Sequence, residues 1–262
     1  MKRICRLYST VLLSVSLAVS VGCGKKGPLL YPDQLIPAPV SGLVAVQSGT
    51  NAKVSFTLPD KDLAGRSLRD LSGVRMYRRA APLSSSPDPA CGVCREGYQL
   101  FKTLYLDAVD DAQMFGRTLI LLDRDISPNN RYSYFAVAFT RDGSAGSESA
   151  QVSMTALEPV QPPAVRVYAE PTDIVLEMTG PVTRAGTLAG YLVYRAAKGY
   201  DIPLAPVNQV PVVDGARYRD SGLGRATDYR YVVRALVRRP DGSLQESLPS
   251  DEVHARLRDD VE

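Results

Sequence analysis

The stretch 228–236, DYRYVVRAL, alternates: Tyr229, Tyr231, Val233 and Ala235 fall on one side of an extended chain, and Val237 continues the series. A period of two over that length predicts a half-buried strand. RYSYFAVAF, 131–139, repeats the pattern with Tyr132, Tyr134, Ala136 and Ala138. Shorter apolar runs predict strands at residues 43–47, 52–58, 118–122 and 149–155, then at 165–169, 174–178 and 191–195. The turn clusters SPNN, RDGSAGS and RRPDGS punctuate them. No long segment carries a helical period. Short strands at this spacing predict an all-β chain built from antiparallel sandwiches.

The pattern occurs twice. SGVRMYRRA, 72–80, resembles AGYLVYRAA, 189–197, and the two alternating segments above follow them in the same order. Between the copies stands EPVQPP, 158–163, whose three prolines predict a stiff, extended connector. A chain of 262 residues suits two domains, which this division places at 38–157 and 164–258. Each copy resembles a fibronectin type III domain. That family carries Leu-x-Pro-x-x-x-Tyr before its sixth strand, where the tyrosine makes a corner hydrogen bond. ISPNNRY supplies Ile126, Pro128 and Tyr132; LGRATDY supplies Leu223 and Tyr229 without the proline. The family's buried Trp has no counterpart, since the chain contains none, and Phe56 and Leu176 are expected to fill that space. The resemblance implies two tandem immunoglobulin-like sandwiches.

The N-terminus follows a different rule. Lys2, Arg3 and Arg6 precede an uncharged run, 7–21, too short to span a bilayer, which needs about 20 apolar residues. A basic start, a short apolar core and small residues predict a secretory signal over 1–22. Ser20, Val21 and Gly22 before Cys23 resemble the lipobox of bacterial lipoproteins, with Ser20 where Leu is usual. The resemblance implies a diacylglycerol thioether on Cys23, cleavage before it, and N-acylation of the new terminus; no other cofactor is expected. One acyl chain anchors weakly, whereas several hold firmly at about 0.8 kcal/mol per buried CH₂. Gly24 rather than Asp after the cysteine implies, by the same resemblance, the outer membrane. Residues 23–37 are then a lipidated extended tether. Lys2, Arg3 and Arg6 also account for the whole excess of 31 basic over 28 acidic side chains. The processed chain has no net positive field, and no nucleic-acid partner is expected.

With Cys5 in the leader and Cys23 lipidated, Cys91 and Cys94 remain as a CGVC pair in an insertion, 81–100, of the first copy. Its proline- and serine-rich first half reads as a surface loop. A local disulfide would pin that loop, contributing roughly 2 kcal/mol for so short a ring. A redox dithiol is the alternative, with Arg95 adjacent but no βαβ pattern around it. Zinc lacks further ligands, because the single histidine, His254, lies far along the chain. His254 reads as a surface residue on a last strand. The acidic groups DAVDD, 107–111, and DRD, 123–125, lack spaced calcium ligands and read as solvated turns. Arg78, Arg79, Arg238 and Arg239 read as solvated strand ends. No GxSxG and no phosphate-binding glycine loop occurs. No enzyme, metal or small-molecule substrate is expected.

CGKKGPLLYP is similar to the mature N-terminus of LptM-type lipoproteins, with Cys23, Gly24, Lys26, Gly27, Pro28, Leu29 and Tyr31 matching. That family lies at the outer membrane and assists assembly of the lipopolysaccharide translocon. The resemblance implies that Lys26, Gly27, Pro28, Leu29 and Tyr31 dock an envelope protein, and a plain tether is the alternative. Lys25 and Lys26 can meet lipid phosphates. The expectation is therefore a non-enzymatic lipoprotein, anchored in the outer membrane and facing the periplasm, whose sandwiches bind protein. A carbohydrate- or peptidoglycan-binding module, or a purely structural envelope lipoprotein, is the alternative.

Overall fold

The structure is a computed structural model that describes residues 31–85, 95–181, 185–213 and 216–258. Among these it is all-β, with one 3-10 turn at Pro32–Gln34. The first sandwich holds β1 (Ser41–Ser48), β2 (Asn51–Thr57), β3 (Leu71–Pro82), β4 (Gln99–Tyr105), β5 (Ala112–Phe115), β6 (Thr118–Asp123), β7 (Asn130–Thr140), β8 (Ala145–Glu148) and β9 (Val152–Ala156). The second holds β10 (Ala164–Ala169), β11 (Asp173–Thr179), β12 (Thr187–Ala197), β13 (Arg217–Ser221), β14 (Tyr229–Arg238), β15 (Leu244–Glu246) and β16 (Val253–Ala255).

In the first sandwich, the row β1-β2-β6-β5 faces the row β4-β3-β7-β8, with β9 also on β7. Alternate residues of both rows meet in one core: Val54, Phe56, Val74, Met76, Leu119, Leu121 and Tyr134 are each at most 1% exposed. In the second, β10-β11-β13 faces β12 and β14, closing over Ile174, Leu176, Val193, Tyr231 and Val233. Phe56 on β2 and Leu176 on β11 are both buried at the place expected for the missing Trp. Each core residue of that size contributes about 1.5–3 kcal/mol when fully buried.

Several strands escape the apolar pattern. Strands β4 (QLFKTLY) and β13 (RYRDS) are edge strands whose polar and charged residues, Asp220 excepted, are exposed or half-buried, a common protection of open edges. Residues 149–151 leave the expected strand, which starts only at Val152. Ser149 causes the break: its Oγ accepts the Ala136 N–H at 3.0 Å and its own N–H donates to the Ala136 carbonyl. Ser250 repeats both bonds with Val233 and separates β15 from β16.

The sandwiches do not hang end to end. Strand β1 runs parallel to β15, pairing Gln47 with Gln245 and Ser48 with Glu246. One eight-stranded sheet therefore crosses both domains, in the order β12-β14-β15-β1-β2-β6-β5 with β16 on β14. Gly49 closes the β1–β2 turn with φ of +60°, where its N–H reaches the Glu246 carbonyl at 3.0 Å. The proline-rich connector is packed rather than free: Val160 is buried and its carbonyl accepts the Leu248 N–H.

Candidate functional site

The repeat extends from backbone to buried chemistry. Arg78 on β3 donates to both carboxylate oxygens of Asp123 at 2.9 and 3.0 Å, and the Tyr134 hydroxyl donates to the same group at 2.8 Å. In the second copy Arg195 holds Asp220 at 2.7 Å twice, and Tyr231 donates at 2.8 Å. Each guanidinium also lies over a tyrosine ring, Arg78 over Tyr132 at 5.9 Å and Arg195 over Tyr229 at 5.6 Å. Those rings are the corner tyrosines: Tyr132 accepts the Ser127 N–H and Tyr229 the Gly224 N–H, both at 2.9 Å. Arg and Asp stand 45 residues apart in the first copy and 25 in the second. The difference of 20 equals the length of the insertion 81–100.

This corrects two readings of the sequence. Asp123 belongs to no solvated turn, being wholly buried, and Arg78 is no solvated strand end. Burial opposes the Arg78 charge, but its bonds to Asp123 and Asp125 hold its pKa above the ordinary value. Burial, with Asp123 beside it, pushes the Tyr134 hydroxyl far above the phenol range, so it stays a donor. Both clusters are closed and internally satisfied, which makes them structural. Removing the corner hydroxyls tests the smaller part of this design. Tyr132→Phe, which removes a buried tyrosine's hydroxyl, is expected to lose about 1 kcal/mol, and Tyr229→Phe, where the tyrosine is half-buried, about 0.5 kcal/mol; the donor residues Ser127 and Gly224 are both exposed. Urea unfolding with an unchanged m-value measures both.

A third polar cluster lies at the domain junction. Glu246, 3% exposed, forms an ion pair with Lys53 of β2 and accepts hydrogen bonds from Ser48 Oγ at 2.6 Å and Tyr194 OH at 3.1 Å. Lys53 Nζ also donates to Tyr194 OH at 3.0 Å. Two buried glutamines flank the cluster. Gln47 bonds both the N–H and the carbonyl of Leu157, and Gln245 Nε2 reaches the Glu158 carbonyl at 3.1 Å. Arg239, another expected strand-end cation, is half-buried here against Gln245; Arg238 remains exposed.

The outer face of β4-β3-β7-β8 is different in kind. Tyr77 stacks on Phe135 with centroids 4.7 Å apart, and Tyr98 packs edge-on against Phe135 at 5.0 Å. Tyr105 meets Phe139 edge-on at 5.6 Å. Arg75 lies over the Phe139 ring at 4.5 Å and Arg79 over Tyr98 at 5.1 Å. Arg95 pairs with Glu148 at the rim. A cavity of about 210 Å³ opens here between Arg75, Tyr77, Arg95, Tyr98, Phe135 and Glu148. Gly73 lets the layer form, because a Cβ there would meet Phe139 Cζ at 2.5 Å and the Leu104 carbonyl at 2.3 Å. The matching face of the second sandwich is covered. There Tyr194, Leu192 and Leu236 form a satellite core under Ile202, and Lys53 of the first domain sits on Tyr194. One face is filled and its counterpart is open.

No family model and no curated protein matches this chain. Among solved structures it is similar to the FN1–FN3 domains of chicken CNTN1, at 13% identity and a TM-score of 0.31, over 85% of this chain and 66% of that one. The all-β sandwich assignment stands on the sheets described above.

Of the residues singled out from sequence, Cys23, Lys26, Gly27, Pro28, Leu29, Cys91 and Cys94 lie outside the described residues. Tyr31 is described: it is 61% exposed, and its carbonyl accepts the Gln34 N–H at 2.9 Å in the turn that follows. His254 is 63% exposed, with Glu252 at 3.1 Å. Asp111 pairs with Lys102. Among the described residues no three His, Cys, Asp or Glu side chains converge as metal ligands, and no helix is long and apolar enough to cross a membrane. The open face went unpredicted. One signal existed: Phe135, Val137 and Phe139 fill the alternate positions of RYSYFAVAF, so that strand is apolar on both sides, and its second apolar row is covered by tyrosines and arginines of the same domain.

Proposed function

We propose that this chain is a non-enzymatic lipoprotein of the cell envelope, anchored in the outer membrane through Cys23 and facing the periplasm. Its two sandwiches present fixed surfaces to a protein partner. The observation that carries the binding reading is the shared eight-stranded sheet. It makes the two domains one body with set faces, and the buried carboxylates Asp123, Asp220 and Glu246 are closed into structural pairs. Lipobox-like residues before Cys23 support the anchor. CGKKGPLLYP supports a role in envelope assembly, with assistance to the lipopolysaccharide translocon as its sharpest form.

Intact mass of the membrane-extracted chain tests the anchor. The expected species begins at Cys23 and carries a diacylglyceryl and an acyl group, and Cys23→Ser abolishes both the added mass and sedimentation with membranes. A Cys23→Ser chain that still sediments with membranes after alkaline washing would remove the lipid from the account. Photocrosslinking from position 31, exposed and within the matching segment, tests the partner. The translocon form fails if the captured species contain no outer-membrane assembly protein.

A further inference from the structure

We infer that the open aromatic–arginine face of the first sandwich docks on the anionic phosphate surface of the membrane that holds the lipid. The inference rests on the anchor proposed above. Two observations carry it: where the tether enters the fold, and the charge of the face.

The described chain starts at Tyr31 and runs directly to the edge of this sheet. The Pro37 carbonyl accepts the Ser147 N–H of β8 at 3.1 Å, and Gly146 is pressed so close that a Cβ would meet the Pro37 carbonyl at 2.5 Å. Ala145, Gly146 and Glu148 of the same strand line the cavity of the open face. The entry point and the face therefore share an edge. Tyr31 lies eight residue steps from Cys23, which fully extended reach at most ~29 Å. A lipid on Cys23 keeps this edge near the bilayer, while the second sandwich is attached through β1 and β15 on the other sheet.

The face has the matching chemistry. Arg75, Arg79 and Arg95 stand on it, and Arg131 shares it by alternation along β7. Glu148 is the carboxylate lining the cavity. Guanidinium groups bind phosphate oxygens through paired N–H donors. Tyr98 and the half-exposed Tyr105 and Leu100 offer amphipathic and apolar groups of the sort that settle at the headgroup level. Cations stacked on rings are held upright, which lowers the entropy lost on docking.

Hydroxyl-radical footprinting of the full lipidated chain tests this. The chain is reconstituted in vesicles of phosphatidylcholine alone or with phosphatidylglycerol. Oxidation of Tyr98 and Tyr105 is expected to fall on the anionic vesicles, while Tyr168 and Tyr200 on the second sandwich keep their reactivity. Each arginine is expected to shift the docked–undocked equilibrium about fivefold, so the Arg75→Gln/Arg95→Gln pair shifts it about 25-fold and restores oxidation. A lipidated chain whose Tyr98 and Tyr105 react equally on both vesicles overturns the inference alone. Protection in native membranes but in neither pure lipid overturns it in favour of a protein occupant. A Cys23→Ser chain that stays with phosphatidylcholine vesicles as firmly as the lipidated chain overturns the anchor itself. Thermal melting of the double variant, unchanged from the parent, shows that the fold is intact.

Discussion

Lys53→Met is expected to destabilise the protein by about 3–5 kcal/mol, the usual result of leaving a buried carboxylate without its cation. Glu246 is 3% exposed, and its remaining hydrogen-bond partners, Ser48 and Tyr194, are neutral donors. Arg234 approaches only to 4.0 Å and cannot replace the lost ammonium without moving. The loss falls on the domain junction, since the ion pair joins β2 of one sandwich to β15 of the other. Calorimetry of the parent is expected to show one cooperative transition. The variant should show an earlier event, lower by about 10 °C, in which the domains separate. A second substitution provides the control. Lys53→Met/Glu246→Leu removes both charges and fills the same space, and recovers most of the loss because apolar replacement of a whole buried pair is near neutral. If Lys53→Met melts like the parent, the junction is held by the paired strands alone.

Asp220→Ala is expected to cost about 3 kcal/mol. It strips Arg195 and the buried Tyr231 hydroxyl of their shared acceptor in one step. Arg195 keeps 29% of its side-chain surface in water, so partial hydration holds the loss at the lower end of the range for buried pairs. Asp123→Ala should lose at least as much, because Asp123 also accepts the Asp125 N–H at 3.0 Å and has no exposure at all. Native-state hydrogen exchange separates the two. Asp220→Ala is expected to raise exchange in β12 and β14, and Asp123→Ala in β3 and β7. Equal acceleration in both sandwiches from either change would overturn the assignment of each cluster to local opening of its own sandwich.

The corner tyrosines were legible in the sequence, because ISPNNRY and LGRATDY carry a local pattern whose bond closes over five residues. Their partners were not. Asp123 sits in DRD, which by composition is a turn, and only packing of β6 against β3 and β7 places it under Arg78 and Tyr134. The second copy held the clue in its spacing: Asp123 precedes Tyr134 by 11 residues and Asp220 precedes Tyr231 by 11. The alternating faces of β7 and β14 were legible because a strand sorts its side chains by parity. Edge strands β4 and β13 were not, because polar residues on an edge carry no apolar period.

The sequence by itself determined the all-β class, the two copies, the corner bonds and which strand faces turn inward. Each of these follows from local backbone sterics or from the period of two. Only the tertiary structure decided that β15 joins β1, that Lys53 and Glu246 meet across 193 residues, and that one sandwich face is buried while its counterpart stays open. Such pairings depend on which edges two folded surfaces bring together, and main-chain hydrogen bonding between edges leaves no mark in the order of side chains.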